Sequence, residues 1–208
     1  MADEGINKNY IMLEEYKTLK IKEASINNIK DMAEISIMAS GGMDEFFFDD
    51  LIKDLNTHDL LCKYYKDKDS ELFYENSLVA ILDNKVAGFA QPYDMKYFVK
   101  PEGLIPEDRL KYFNDFFDHT IPNSLYLHVL GVHEEFRGHG IGTKLLNEVC
   151  KKAKTLNYNA VTLHAWHDNA LVIKLYERYG FKKVINIDIK NHPNLNHESG
   201  IDLMVLKF

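Results

Sequence analysis

"SLYLHVLGVHEEFRGHGIGTKLL" (Ser124–Leu146) changes character twice along its length. Ser124–Val132 reads as a strand. A turn with Arg137, Gly138, His139, Gly140 and Gly142 follows. Residues 140–156 then read as a helix, with Ile141, Leu145, Leu146, Val149 and Ala153 on one face. Glycine is costly to order, so such a cluster marks a tight backbone or close approach of a ligand. The first N–H groups of a helix have no internal partner and carry the positive end of its dipole. Glycines around them let phosphate oxygens come close, and Arg137 adds a permanent forked cation. A phosphate-bearing ligand is one reading of the turn. A tight strand-to-helix connection without a ligand is the other, and spacing alone does not choose between them.

Outward from this stretch the chain reads as alternating elements. "TLKIKEA" alternates like a strand, and Ser25–Ala39 carries a helical stripe of Ile26, Ile29, Met32, Ile35 and Ile37. "SGGM" (40–43) breaks that helix. A second helix is expected over "DEFFFDDLIKDL", running on past Leu60. "SLVAILDNKVAGFAQPYD" reads as a hairpin around Asp83-Asn84. Residues 92–123 read as an insertion, an acceptor-side lid if they close over a substrate. Within it, Leu110, Phe113 and Phe117 predict a helix after Pro106. Downstream, "AVTLHAW" is a strand, "NALVIKLYERYG" a helix ended by Gly180, and "FKKVINIDI" and "IDLMVLKF" a closing antiparallel pair. The expectation is one domain over 17–208, preceded by a tail at 1–16. Its class is α/β (α+β): a mixed, mostly antiparallel sheet of six to seven strands with helices on both faces.

Composition limits the functional classes. The chain has 208 residues, 46% of them hydrophobic, which is enough for a sizeable core. A net charge of −7 argues against nonspecific binding to nucleic acid or an anionic membrane. Cys62 and Cys150 form no metal-site spacing or disulfide framework, which fits a reducing cytoplasm. "MADEGINKNY" has no apolar leader, and no segment approaches the ~20 apolar residues of a membrane span. The expected location is therefore cytoplasmic, and the expected state a monomer or homodimer.

Two nucleotide patterns fail on residues. A dinucleotide fingerprint would need glycine where Thr143 stands, and a P-loop would need the Lys144 and Thr143 types in the opposite order. R-x-x-G-x-G does match, as Arg137, Gly140 and Gly142. With "LHVLGV" before it, and Asn169, Ala170, Tyr176, Gly180 and Phe181 in "NALVIKLYERYGF" after it, the chain resembles the GNAT superfamily of N-acetyltransferases. The resemblance covers about 77–91 and 124–189.

That resemblance implies acetyl-CoA as cosubstrate, no metal, and direct transfer to a primary amine. It assigns the pyrophosphate to the loop: Arg137, Gly138, His139, Gly140, Ile141, Gly142 and Thr143. It assigns the pantetheine arm to the backbone of Leu130 and Val132 beside a strand bulge, which Gly131 would supply. Gly131 relieving crowding under a helix is the alternative. Tyr176 is implied as the acid that protonates the thiolate, with Asn169 capping its helix and touching pantetheine. "LHVLGVHEEFRGHG" is similar to the arylalkylamine acetyltransferase branch, which implies His128 as base. Tyr126 stands where that branch has a second histidine, and His128 as a hydrogen-bonded core residue is the other reading.

Acceptor walls are expected at "GGMDEFFFDD" and around Tyr112, Phe113, Phe116 and Phe117, with Phe46, Phe47, Tyr126 and His164 as substrate-side residues. Rings beside carboxylates suit a protonated amine; buried core faces with solvated acids would look the same. His164 and His167 in "HAWH" have no cysteine or carboxylate cluster to make a metal site. A small amine is the favoured acceptor, a protein amine the rival. A non-catalytic acyl-CoA sensor on the same fold is the reading from another class.

Overall fold

The computed structural model describes residues 19–208, so the tail expected at 1–16 lies outside the described residues. Seven strands form one sheet: β1 (Lys20–Glu23), β2 (Leu78–Leu82), β3 (Lys85–Asp94), β4 (Ser124–Val132), β5 (Ala160–Trp166), β6 (Lys182–Ile187) and β7 (Ile201–Lys207). Their order is β1-β2-β3-β4-β5-β7-β6. Only β4 and β5 pair in parallel; the other neighbours are antiparallel. Asp83 and Asn84 both adopt positive φ, which turns β2 tightly into β3 with the strand twist preserved.

The helices are α1 (Ile29–Ser40), α2 (Met43–Phe48), α3 (Thr57–Lys66), α4 (Glu107–Leu110), α5 (Ile141–Thr155) and α6 (Ala170–Tyr179). On one face of the sheet, Leu145, Leu146 and Val149 of α5 meet Leu125 and Leu127 of β4 and Val161 and Leu163 of β5. Burying each such leucine contributes about 1.5–3 kcal/mol. On the opposite face, Ile29, Met32 and Ile35 of α1 and Leu61 and Tyr65 of α3 cover Val79, Phe89 and Val129. Further along that face, α2, the 92–123 segment and the β6–β7 connection close over Tyr126, Trp166 and Leu203.

Two helix expectations change. The second helix is interrupted: α2 stops at Phe48, Asp50 and Asp54 take left-handed φ, and α3 begins afresh at Asn56, whose side chain accepts from the Asp59 N–H at 2.8 Å. An Asn or Asp side chain offers the backbone local alternatives to the helix, so an acidic run between two apolar stretches is a weak helix. In the insertion, α4 is one turn long and gives way to a 3-10 turn over Lys111–Phe113. Phe113 and Phe116 are the buried pair, with Phe117 only half-buried. Their spacing of three residues is the one that a 3-10 turn brings onto a single face.

Candidate active site

Pro92 sits inside β3, and proline cannot donate to a sheet ladder. The β3–β4 register shifts there: Gln91 pairs with Val129 and Pro92 with Leu127, so His128 is the extra, unpaired residue. The bulge therefore lies at His128, not at Gly131. Its effect is a change of parity. Leu125 and Leu127 face α5 before it; Leu130 and Val132 face α5 after it; Val129 faces α1. Gly131 pairs regularly with Phe89. A Cβ there would lie 2.2 Å from Ile35 Cγ2, so its small size serves the close approach of α1.

β4 and β5 pair only from Ser124–Tyr126 to Ala160–Thr162. Beyond that β4 stays with β3 and β5 with β7, so the two central strands part. The His133 N–H donates to the Ala87 carbonyl at 2.8 Å. Backbone groups alternate sides along a strand, so Gly131 and Val129 also face β3. Leu130 and Val132 turn their N–H and C=O groups the other way, into the opening. The Arg137 Nε–H reaches the Val132 carbonyl on that side at 3.3 Å.

The glycine turn stands at the mouth of this opening. Gly138 and Gly140 have φ of +82° and +72°, and a Cβ on either would meet nothing within 4 Å. Gly140 is the N-cap of α5 and has no side chain to satisfy its first turn, so the Ile141, Gly142 and Thr143 N–H groups are uncapped. His139 Nδ1 lies 3.2 Å from the Phe136 carbonyl. Arg137 is exposed, with one guanidinium nitrogen 3.8 Å from Glu134. These residues fit an anionic diphosphate: open space, uncapped donors and a forked cation converge at one helix end.

Tyr176 packs against Phe181 at 5.5 Å between ring centroids and is buried. Loss of hydration pushes its phenol far above the ordinary range, so it stays protonated. Its helix begins at Asn169, whose side chain accepts from the Val172 N–H at 3.4 Å, and ends at Gly180 with φ of +113°. His128 is exposed on the open side, with Tyr93 and Tyr126 rings 5.4 and 6.1 Å behind it. Crowding by protein lowers its pKa to about 4, while solvent at the open edge of the ring limits that push.

On the acceptor side, Tyr126 is buried and its hydroxyl lies 3.1 Å from His164 Nδ1. Phe47 is covered by Phe113 at 4.8 Å. Phe46 meets Tyr112 and His192 at 5.6 and 4.7 Å, and the three rings border a groove of about 320 Å³ with Glu45, Asp49, Asp50 and Asp108 and with Arg109 and Lys111. Arg109 ties the insertion to α2 through the Phe47 carbonyl at 2.8 Å. His167 bonds Asp202 at 2.8 Å, so the two histidines of "HAWH" point to different partners. Tyr93, Phe98 and Pro92 were not singled out in the sequence. Pro92 carried a usable signal, a proline inside a strand pattern; the two rings carried none beyond being apolar.

A sequence model described as the Acetyltransferase (GNAT) family matches residues 43–181. A solved acetyltransferase is similar at 26% identity, with 90% of this chain and 98% of that one covered and a TM-score of 0.66. An N-acetyltransferase from Staphylococcus aureus Mu50 shares the fold at 23% identity, covering 90% of this chain and 100% of that one, with a TM-score of 0.65. So does yncA from Salmonella typhimurium, solved with its cofactor acetyl-CoA: 19% identity, 92% and 94% coverage, TM-score 0.60.

Proposed function

The chain belongs to the GNAT acetyltransferase family, and from that premise we propose that it transfers an acetyl group from acetyl-CoA to a primary amine of a small molecule, by direct attack in a ternary complex. The observation that carries this reading is the parting of β4 from β5 beyond Tyr126 and Thr162, with the uncapped glycine end of α5 at its mouth. Acetyl-CoA supplies an activated acyl group, a thioester whose carbonyl carbon can take a nucleophile. Arg137 and the N–H groups of Gly138–Thr143 hold the diphosphate. The backbone groups of Leu130 and Val132 pair with the extended arm as an added strand would, and the Leu130 N–H polarises the reacting carbonyl.

His128 is neutral at pH 7 and has a lone pair for the amine proton. Its low pKa makes it pass that proton on to solvent. Tyr176, held protonated by burial, would donate its proton to the departing sulfur and recover one from solvent as the products leave. Asn169 fixes the start of the helix that positions Tyr176. The groove bordered by Phe46, Tyr112 and His192 sets four carboxylates against Arg109 and Lys111, a net negative lining that supports a small organic cation as acceptor, because ring faces and carboxylates both attract an ammonium group. Phe47 meets Phe46 at 5.5 Å between ring centroids, while Tyr126 and His164 do not line this groove.

Thermal unfolding with and without acetyl-CoA tests the cofactor half of this reading. Ligand at 100 times its Kd adds about 2.7 kcal/mol, worth several degrees in a domain of this size. The shift is expected in the wild type and reduced in Arg137→Ala. No shift at millimolar acetyl-CoA would remove the enzyme reading.

A further inference from the structure

Helix α6 carries Tyr176 but is thinly anchored. Tyr176 is its one buried residue, and Leu171 in its first turn is 83% exposed. Where the helix starts is therefore decided by the residues that lead into it, and these are held from the acceptor side. The Trp166 Nε1–H donates to the carbonyl of Ser40, the last residue of α1, at 3.0 Å. The His167 N–H donates to the Gly200 carbonyl at 3.0 Å. Asp168 grips the β6–β7 connection twice: Oδ1 lies 2.6 Å from His197 Nδ1, and Oδ2 accepts the Glu198 N–H at 3.1 Å. The next residue, Asn169, is the N-cap of α6.

The far side of this grip is equally constrained. His197 lies flat on Trp166, with ring centroids 5.0 Å apart and planes at 21°. Its other edge abuts Gly41, where a Cβ would come within 2.7 Å of both His197 Nε2 and Trp166 Nε1. The Gly41 carbonyl accepts the Asn196 N–H at 3.0 Å. Earlier in the same connection, His192 borders the groove with Phe46 and Tyr112. A continuous chain of contacts thus runs from the groove wall, through His197 and Asp168, to the first turn of the helix that carries Tyr176. Asp168 stays ionised: burial works against its charge, but the Glu198 N–H and His197 outweigh burial and hold its carboxyl below the usual range. A carboxylate only accepts, so the bridging hydrogen sits on His197 Nδ1.

We infer that Asp168 and His197 are a positioning pair for acetyl transfer: their tie locks the groove wall to the start of α6 and so sets where the acceptor sits relative to Tyr176. The inference rests on the acetyl-transfer reading above. Neither residue lines the groove, so the pair acts through alignment and not through contact with the amine. Misplacing reacting groups by about 1 Å costs about 10²-fold in rate. An ion pair this near the surface adds little to overall stability. Loss of the tie is therefore felt in turnover more than in melting temperature or in amine binding.

Two measurements test the pair. The first is amide hydrogen exchange in wild type, His197→Ala and His197→Asn. His197→Ala should speed exchange over residues 170–175 of α6, a segment to which His197 makes no bond, as well as over 192–199. His197→Asn, whose amide can still donate to Asp168 but which has no ring to lay on Trp166, should restore protection over 170–175. Faster exchange confined to 192–199 would make the tie a local loop contact and overturn the proposal without touching the acetyltransferase reading. An asparagine variant that behaves like the alanine one would assign the effect to the Trp166 stack and overturn it too. The second is kcat and KM for phenethylamine and spermidine at saturating acetyl-CoA. His197→Ala should lower kcat by about tenfold or more while the amine KM changes by less than about threefold, and His197→Asn should recover most of kcat. The acetyl-CoA thermal shift should persist in both variants; its absence from the wild type would sink the acetyl-transfer reading itself. A raised KM with unchanged kcat would make the pair a feature of groove binding and overturn the positioning role. A wild type that binds acetyl-CoA but acetylates neither amine would overturn that role as well, and the exchange result would still decide the tie.

Discussion

At the scale of single residues, Tyr176 and His128, the two side chains proposed for proton transfer, stand in opposite electrical situations. Both are pushed toward their neutral forms by loss of hydration, yet neutrality makes one a donor and the other an acceptor. Tyr176→Phe removes only a hydroxyl from a ring that keeps its contact with Phe181. The expected result is a fall in turnover of about 10²-fold or more, typical for loss of a general acid, with acetyl-CoA affinity nearly unchanged. Turnover equal to wild type, measured with saturating acetyl-CoA, would end the acid role. The helix that carries Tyr176 was legible in the sequence, because Asn169 at its start and Gly180 at its end restrict where it can begin and stop. Tyr93 and Phe98 were not legible. Each looks like any other apolar ring until strands far apart in sequence bring it beside His128 or His164.

At the scale of elements, β4 shows how a conspicuous glycine misleads. Gly131 was expected at the bulge because the resemblance places one beside Leu130 and Val132. A bulge is a property of two strands, however, and its cause sits on the partner, where Pro92 has no N–H to give. One extra residue at His128 then keeps leucines on the α5 face on both sides of the bulge while exposing the imidazole. Gly131 serves a different contact, the crossing of α1 over β4. Gly131→Ala would force its methyl onto Ile35 Cγ2, 2.2 Å away, and bring it within 3.3 Å of the Ile35 carbonyl. The expected cost is about 1–3 kcal/mol of stability. Ile35→Ala alone leaves a cavity, but it also removes the clashing methyl. The double variant should therefore be more stable than the sum of the two losses by more than about 0.5 kcal/mol. Additive losses in urea unfolding would mean that α1 shifts as a body instead. The same two-sided logic explains the insertion. Leu110, Phe113 and Phe117 predicted a regular helix, but the chain leaves a 3-10 turn at Phe113 and it is Phe116, with Phe98, that covers His164; local spacing cannot see what a segment must cover.

At the scale of the whole molecule, the opening has a consequence for folding. Parting two central strands leaves imidazoles among aromatic rings, and such groups resist charging. Burial holds the pKa of folded His164 at about 3, against 6.5 in an unfolded chain, and exposed His128 is pushed in the same direction. Between those values the unfolded chain binds protons that the folded one does not, so stability falls as pH drops from about 6.5 toward 4. Asp44 works the other way. Packed beneath Ser36, whose hydroxyl donates to it at 2.8 Å, its carboxyl is raised by burial to about 6 from 3.8. Folded Asp44 therefore binds a proton first, and its contribution rises as pH falls through that window. Two histidines oppose one carboxyl, and the net effect of the three is a loss in acid. Urea midpoints at pH 7 and pH 5 separate the contributions. His164→Phe should shrink the acid loss relative to wild type, and Asp44→Asn should enlarge it. Any change in packing that a variant causes shifts both midpoints together and leaves their difference alone. All other carboxylates titrate alike in the three proteins and cancel in the comparison. If His164→Phe follows the wild-type pH dependence in parallel, then His164 charges freely in the folded state. The rings around it would then be open to water, and the vertex of the opening would be a solvated cleft and not a dry one.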